Sequence, residues 1–194
     1  MIITGYSFGW VTPVNTSPAF DTSMGRSLDF SWLYVLGIRW NYLRHSISAG
    51  IGLDWRNYSL HRHQYYYKET DGNISLQPFG DDTNRQSSRL QTFSLQIPLL
   101  YQIGFGKHNV FHFAVGPVLN FNTGAHISTK YSRGNDRITN TTKGIGQNPV
   151  TVDIMSSFTF HQFGLYVRYA PMNVLHKRTG LDFNSLSTGI IITY

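Results

Sequence analysis

The alternation of apolar and polar residues between Leu90 and Phe105 restricts the fold more than any other feature of this sequence. The segment reads LQTFSLQIPLLYQIGF, and every odd position from Phe93 to Phe105 is apolar, whereas Thr92, Ser94, Gln96 and Gln102 are polar. A period of two predicts a β-strand. A strand of this length with one unbroken apolar face needs either a second sheet or lipid along that face.

The same period recurs along the chain and predicts eight strands in one domain spanning residues 1–194. The other seven are Thr4–Val11, Asp29–Leu43, 47–56, 111–122, 151–160, 163–169 and Leu186–Tyr194. The connections alternate between long and short, with long polar loops predicted over His61–Ser88 and from about Gly124 to Pro149. Up-and-down antiparallel order then places the long loops at one end, and the short turns and both termini at the other.

The apolar phase changes between the sixth and seventh predicted strands. Ile154, Phe158 and Phe160 occupy even positions, whereas Phe163 and Leu165 occupy odd ones. Either a bulge or a tight turn at His161–Gln162 explains the change, because a one-residue slip otherwise turns every later side chain to the wrong face. We expect the turn.

The composition favours lipid over water around the apolar face. Charged residues are 13% and aromatic residues 15% of the chain, whereas ordinary soluble domains carry about 25% charged residues. Glu69 is the single glutamate, and no predicted strand has a lysine in its middle. We therefore expect a transmembrane β-barrel of the bacterial outer membrane, with short periplasmic turns and long extracellular loops. A soluble lipocalin-like ligand carrier, with the apolar face inside, is the alternative.

A family resemblance points the same way. The segments LQTFSLQIPLLYQIGF, FAVGPVLNF, FGLYVRYAP and SLSTGIIITY, with Ile97-Pro98-Leu99-Leu100 and Gly116-Pro117, resemble the small PorT-like outer-membrane β-barrel proteins of Bacteroidetes. The resemblance runs from about the fourth strand to the end of the chain. It implies an eight-stranded outer-membrane barrel and supplies no catalytic residues.

Polar side chains on the opposite face of the strands are expected to fill the lumen. This lumen cluster comprises Arg39, Asp54, Arg56, Gln96, Gln102, His112, Asp153 and Arg168. An eight-stranded barrel is only wide enough for its own side chains, so we expect a salt-bridged plug in preference to a pore. Pro98 falls on this face, and because it lacks an N–H we expect a local bulge or kink there.

The long loops carry the candidate binding residues. We assign the aromatic run Tyr65-Tyr66-Tyr67 mainly to loop structure, as an extended hairpin above the membrane, with contact to a glycan or a protein as the alternative. The basic residues Lys130, Arg133, Arg137 and Lys143 are suited to meet lipopolysaccharide phosphates. His61 and His63 share one face of an extended segment, but with no third ligand in the sequence we expect no metal and no cofactor. The basic residues are scattered, so we expect no nucleic-acid partner.

The predicted function is that of a monomeric, non-enzymatic outer-membrane barrel with a structural or surface-binding role. The competing hypothesis is a lipid A modifying hydrolase, because His126 and Ser128 have the spacing of a base and a nucleophile. Those two residues lie in a predicted loop and not in the closing strands, so catalysis is not expected.

Overall fold

The computed structural model describes residues 1–15, 24–60, 63–69, 73–80, 83–106, 110–133, 136–175 and 183–194. Within these ranges the chain is almost entirely β-strand, apart from one 3₁₀ turn at Met24–Arg26. The strands are β1 (Ile2–Val14), β2 (Leu28–Tyr42), β3 (His45–Ser59), β4 (Gln64–Lys68), β5 (Ile74–Pro78), β6 (Thr83–Phe105), β7 (Phe111–Arg133), β8 (Asp136–Lys143), β9 (Val150–Phe160), β10 (Phe163–Ala170) and β11 (Asn184–Thr193).

One large antiparallel sheet closes on itself. Its pairing runs from β1 through β2, β3, β6, β7, β9, β10 and β11 and returns to β1. Among the described strands β8 pairs only with β7, so it extends the sheet beyond the ring, and β4 pairs with β5 in a separate hairpin. The prediction of an all-β, antiparallel, barrel-like fold is confirmed.

For the segment between Leu90 and Phe105, the side chains point to the faces that the alternation predicts. Leu99 and Tyr101 point outward and are 48% and 45% exposed, whereas Gln96 and Ser94 point inward and are buried. The ring therefore turns its apolar side out and its polar side in, since a single strand direction fixes alternate side chains to opposite faces.

The phase change at residues 161 and 162 is a tight turn, as predicted. β9 ends at Phe160 and β10 begins at Phe163, and the two strands pair directly from that point. His161 has a φ of 55°, the left-handed conformation that closes such a short connection. Phe160 and Phe163 consequently both face outward.

The alternation along Asp29–Leu43 predicts Tyr34 on the outward face together with Trp32 and Leu36, and for Tyr34 that prediction is wrong. The register between β2 and β3 shifts from the pair Trp32–Leu53 to the pair Leu36–Ile51, so two extra residues of β2 are accommodated there. Leu33 and Tyr34 are both buried as a result, and the Tyr34 hydroxyl lies 2.8 Å from Ser48 Oγ. Because the shift is even, the alternation beyond it keeps its phase.

Pro98 lies on the inner face as predicted, but the expected bulge is absent. The register between β6 and β7, and that between β6 and β3, continues past Pro98 without a shift. The pairs of β3 residues 50 and 51 with β6 are missing from the ladder beside Pro98. The missing N–H therefore interrupts the ladder locally without displacing the strand.

The two segments predicted as long loops contain strands. The β4–β5 hairpin lies within His61–Ser88, and β7 continues to Arg133 before turning back as β8. These strands have no unbroken apolar face, because they extend above the ring into polar surroundings. Their alternation is correspondingly weak, and backbone pairing to neighbouring strands stabilises them instead.

Candidate functional site

The inside of the ring is layered along its axis. We call the end with the long connections the loop end and the other end the turn end. Near the turn end, the apolar layer contains Ile3, Leu33, Tyr34, Leu100, Val118, Met155, Tyr166 and Ile191. At the loop end, the apolar cap contains Val11, Tyr58, Leu60, Leu90 and Ile127 from the ring, with Tyr66, Ile74, Ile145, Leu175 and Phe183.

A buried ion cluster lies between these two apolar layers. Asp153 is two residues from Met155 on β9, Arg168 is two residues from Tyr166 on β10, and Arg56 is two residues from Tyr58 on β3. Each step of two residues along a strand keeps the same face and moves one layer. The charged groups are thus separated from water by apolar side chains on both sides.

Arg168 is the centre of the ion cluster. It donates from Nε to Asp153 Oδ2 at 2.7 Å, from Nη1 to Asp54 Oδ1 at 3.0 Å and from Nη2 to Asn120 Oδ1 at 2.7 Å. Arg56 pairs with the same two carboxylates, with Nε 3.0 Å from Asp54 Oδ2 and Nη2 bonded to Asp153. All four charged side chains are at most 7% exposed. Buried charges require such mutual compensation.

The structure brings only half of the predicted lumen cluster together. Asp54, Arg56, Asp153 and Arg168 form the ion cluster. Gln96 is buried apart from the salt bridges and donates to Ser31 Oγ at 2.5 Å. The remaining three predicted residues, Arg39, Gln102 and His112, lie toward the turn end.

Two residues of the buried polar set, Asp29 and Asn120, were not among the predicted site residues. Asp29 is fully buried opposite Arg56 in the register of β2 and β3, and neither of its oxygens accepts a hydrogen bond from the described residues. Asn120 accepts from Arg168. Both residues occupy polar positions of the alternation in their strands, so the sequence places them inside the ring. The alternation does not show which of the inward polar side chains contact one another.

The lumen leaves little empty space in the described residues. A cavity of about 20 Å³ lies beside Asp54 and Arg56, and another of about 20 Å³ lies beside Tyr34 and Arg39. Each has room for about one water molecule. The ion cluster and the apolar layers therefore act as a packed plug.

A large cleft lies outside the ring, at the loop end. It has a volume of about 790 Å³, within the range of ordinary ligand sites. One wall is formed by residues 65–69 of the β4–β5 hairpin, the floor by Thr129, Tyr131 and Arg133, and the other wall by β8 residues 139–142. Its lining combines phenol rings with hydroxyl and amide groups.

The three consecutive tyrosines of the hairpin have different roles. Tyr66 points into the apolar cap, where burial raises its pKa, and its backbone N–H donates to Ser88 Oγ at 3.1 Å. Tyr65 donates to Gln77 Oε1 at 2.9 Å and packs on Phe79 with ring centroids 4.9 Å apart. Tyr67 is 44% exposed. One tyrosine therefore anchors the hairpin, and the other two are presented to the cleft.

The four predicted basic loop residues do not form one group. Arg133 lines the cleft on the inner side of β7. Lys130 lies on the opposite side of β7, and the register of β7 with β8 places Arg137 and Lys143 on that same outer side. His61 lies outside the described residues, so the expectation that His61 and His63 hold no metal is not tested and remains a prediction.

We predict that Tyr66→Ala releases the β4–β5 hairpin and leaves the ring folded. Truncating a buried aromatic ring costs about 3 to 5 kcal/mol, and here the cost falls on the docking of the hairpin. Limited proteolysis of folded protein should show faster cleavage at the hairpin. Tyr67→Ala, in the same strand but partly exposed, is the matched control and should be cleaved at the wild-type rate; equal rates for both variants would contradict the anchoring role.

No model of a known protein family matches the sequence, and no curated protein matches it. Among the described residues, no helix has the length and apolar character required to cross a membrane.

Proposed function

We propose that this chain is an eight-stranded transmembrane β-barrel of a bacterial outer membrane with a non-enzymatic, surface-binding role. The observation that carries the proposal is the apolar outer surface of the ring. Aromatic side chains are exposed toward both ends, among them Trp10, Phe30 and Trp55 near the loops and Trp40, Phe105, Phe160 and Phe163 near the turns. Exposed aliphatic side chains, including Ile51, Leu99, Leu165 and Ile190, lie between them.

This distribution suits a bilayer better than water. Soluble monomers rarely expose contiguous apolar patches larger than a few hundred Å². Outer-membrane barrels carry an apolar band about 25 Å tall, flanked by aromatic girdles, around a polar interior. A lipocalin-like carrier needs the reverse arrangement, with an apolar interior around a ligand. The buried ion cluster occupies that interior here.

The asymmetry of the two ends supports an orientation. The connections at residues 43–44, 106–110 and 161–162 are short, and the chain termini pair at the same end through Thr4 and Tyr194. The hairpin, the β7–β8 extension and the 790 Å³ cleft are all at the other end. We place the short turns in the periplasm and the cleft outside the cell, by analogy with known outer-membrane barrels.

A role at the surface fits the molecule better than transport. The lumen is packed with paired charges and apolar layers, so the described residues leave no continuous path for a solute. The cleft between the hairpin and β8 is a concave site that combines aromatic and hydrogen-bonding side chains. We propose that it binds a glycan or a protein segment at the cell surface.

A hydrolase mechanism lacks one of its usual parts. His126 and Ser128 share the outer side of β7, but no carboxylate of the described residues lies on that side to orient the imidazole. An activated serine needs a base that is itself oriented by a third group. Incubating folded protein with lipid A tests this directly: release of acyl chains that Ser128→Ala abolishes would contradict the non-enzymatic role.

Detergent dependence tests the membrane placement. We expect the urea-unfolded chain to refold only when detergent or lipid is present, because the exposed apolar band otherwise drives aggregation. Size-exclusion chromatography and circular dichroism after dilution from urea provide the measurement. A monodisperse, β-rich monomer in detergent-free buffer would overturn the proposal in favour of a soluble barrel.

A further inference from the structure

The outer side of the sheet above the ring carries a group of basic residues. The sequence alone does not distinguish these residues from the basic residue that lines the cleft. A bulge at Thr123 changes the phase of β7, because Phe93 pairs with residue 124 whereas Ser94 pairs with Asn122. Beyond the bulge Ile127 points into the apolar cap, so the even positions of β7 point outward. We call the outward basic residues of β6, β7 and β8 the basic patch; they are Arg89, His126, Lys130, Arg137 and Lys143.

The register makes these five side chains consecutive neighbours. Lys143 is directly opposite His126, and Arg89, which pairs with Ser128, is diagonal to His126. Lys130 is diagonal to Arg89 on one side and to Arg137 on the other. Directly opposite Cβ atoms in a sheet are about 5 Å apart and diagonal ones about 7 to 8 Å apart. Five basic groups thus form one continuous row.

No acidic side chain of the described residues neutralises this row. Asp136 pairs with Arg133, whose side chain lines the cleft on the inner side of β7, away from the row. The four Lys and Arg side chains of the patch are exposed, and none forms an ion pair with a described residue. Adjacent like charges are destabilising on their own, so the row favours an anionic ligand.

The patch continues directly from the aromatic end of the apolar band. His126 lines a groove of about 430 Å³ together with Phe30, Trp55 and Phe93. Arg89 is four residues beyond Phe93 on β6, about 13 Å along the strand. With a strand tilt of about 45°, that is roughly 9 Å above the aromatic girdle, and so at the outer part of the headgroup region, since the girdle itself lies at the membrane–water interface.

We propose that the basic patch binds the phosphates of phosphorylated lipid headgroups, of the lipid A class, in the leaflet that surrounds the loop end. This inference rests on the proposed membrane placement and adds a lipid site to it. Arg133 is excluded from the site because it faces the cleft. Each Lys or Arg near an anionic surface contributes about a fivefold gain in affinity, and the gain weakens as salt rises.

The test measures lipid A binding to the folded full chain in maltoside micelles at low salt by microscale thermophoresis. The ligands are phosphorylated lipid A, the same lipid after removal of its phosphates, and inorganic phosphate. The test variant combines Lys130→Gln with Lys143→Gln. The control combines Arg44→Gln, in the turn between β2 and β3, with Arg26→Gln, in the 3₁₀ turn Met24–Arg26, and so removes the same number of charges away from both the basic patch and the cleft.

We expect the test variant to lose about thirtyfold in affinity for phosphorylated lipid A, and the control to bind as the wild type does. An equal loss of affinity in both variants, or no loss in either, would overturn the lipid site. The lipid site would also be overturned if the dephosphorylated lipid bound with equal affinity, or if inorganic phosphate alone bound the patch to saturation. Insertion into phosphatidylcholine bilayers is followed separately by heat-modifiable migration on gels. Failure to insert would overturn the membrane placement and this inference together, whereas insertion without phosphate preference would overturn this inference alone.

Discussion

Replacing Arg168 by methionine is expected to destabilise the folded ring by about 3 to 5 kcal/mol. Arg168 contacts Asp54, Asp153 and Asn120 at 2.7 to 3.0 Å, and all of these side chains are buried. Methionine fills a similar volume but leaves two carboxylates facing one remaining guanidinium, that of Arg56. Since a buried uncompensated charge is costly, the loss exceeds that of any surface arginine.

Urea unfolding in detergent micelles, followed by tryptophan fluorescence, measures this effect. Arg133→Met, at an exposed position of β7, is the matched control and should change the free energy of unfolding by less than about 1 kcal/mol. Adding Asp153→Asn to Arg168→Met should restore part of the stability, because one unpaired charge is removed. Equal unfolding midpoints for Arg168→Met and Arg133→Met would contradict the central role of this cluster.

Replacing Leu99 by arginine is expected to cost about 2 to 4 kcal/mol for the protein folded in a bilayer. Leu99 lies at the middle of the outward row of β6, three outward positions from both Phe93 and Phe105, and it is 48% exposed. In the proposed placement this is the midplane of the bilayer, where a charged side chain is most expensive. In water the same position tolerates arginine, because the side chain is already partly solvated.

Folding into phosphatidylcholine vesicles at a series of urea concentrations provides the measurement. Tyr42→Arg, at the turn end of β2 and 75% exposed, is the control and should cost no more than about 1 kcal/mol at the interface. A Leu99→Arg variant as stable as Tyr42→Arg would argue against lipid at this surface. A gain in detergent-free solubility for Leu99→Arg would support the soluble alternative.

The sheet could be predicted from the sequence because alternation is a local property. Phe93 to Phe105 and Ile154 to Phe160 identify their strands without knowledge of any partner. Tyr34 was assigned to the wrong face because its strand absorbs two extra residues opposite β3. Such an irregularity depends on the neighbouring strand, so the alternation of β2 alone does not reveal it.

The candidate site was only partly predictable for a related reason. The polar phase placed Asp54, Arg56, Asp153 and Arg168 inside, but it did not distinguish them from His112 or Gln102, which lie in another layer. Charge alone likewise grouped Arg133 with Lys130. The bulge at Thr123 and the pairing with β8 assign one to the cleft and the other to the outer surface.

The sequence by itself determined that this protein is an antiparallel all-β ring with an apolar outer side and a polar inner side. The physical reason is that alternate residues of a strand must face opposite ways, so a period of two fixes both faces at once. Only the tertiary structure decided which inward charges meet, that the hairpin closes over them, and where the cleft and the basic patch lie. Those features depend on strand register and bulges, which arise between segments distant in the chain.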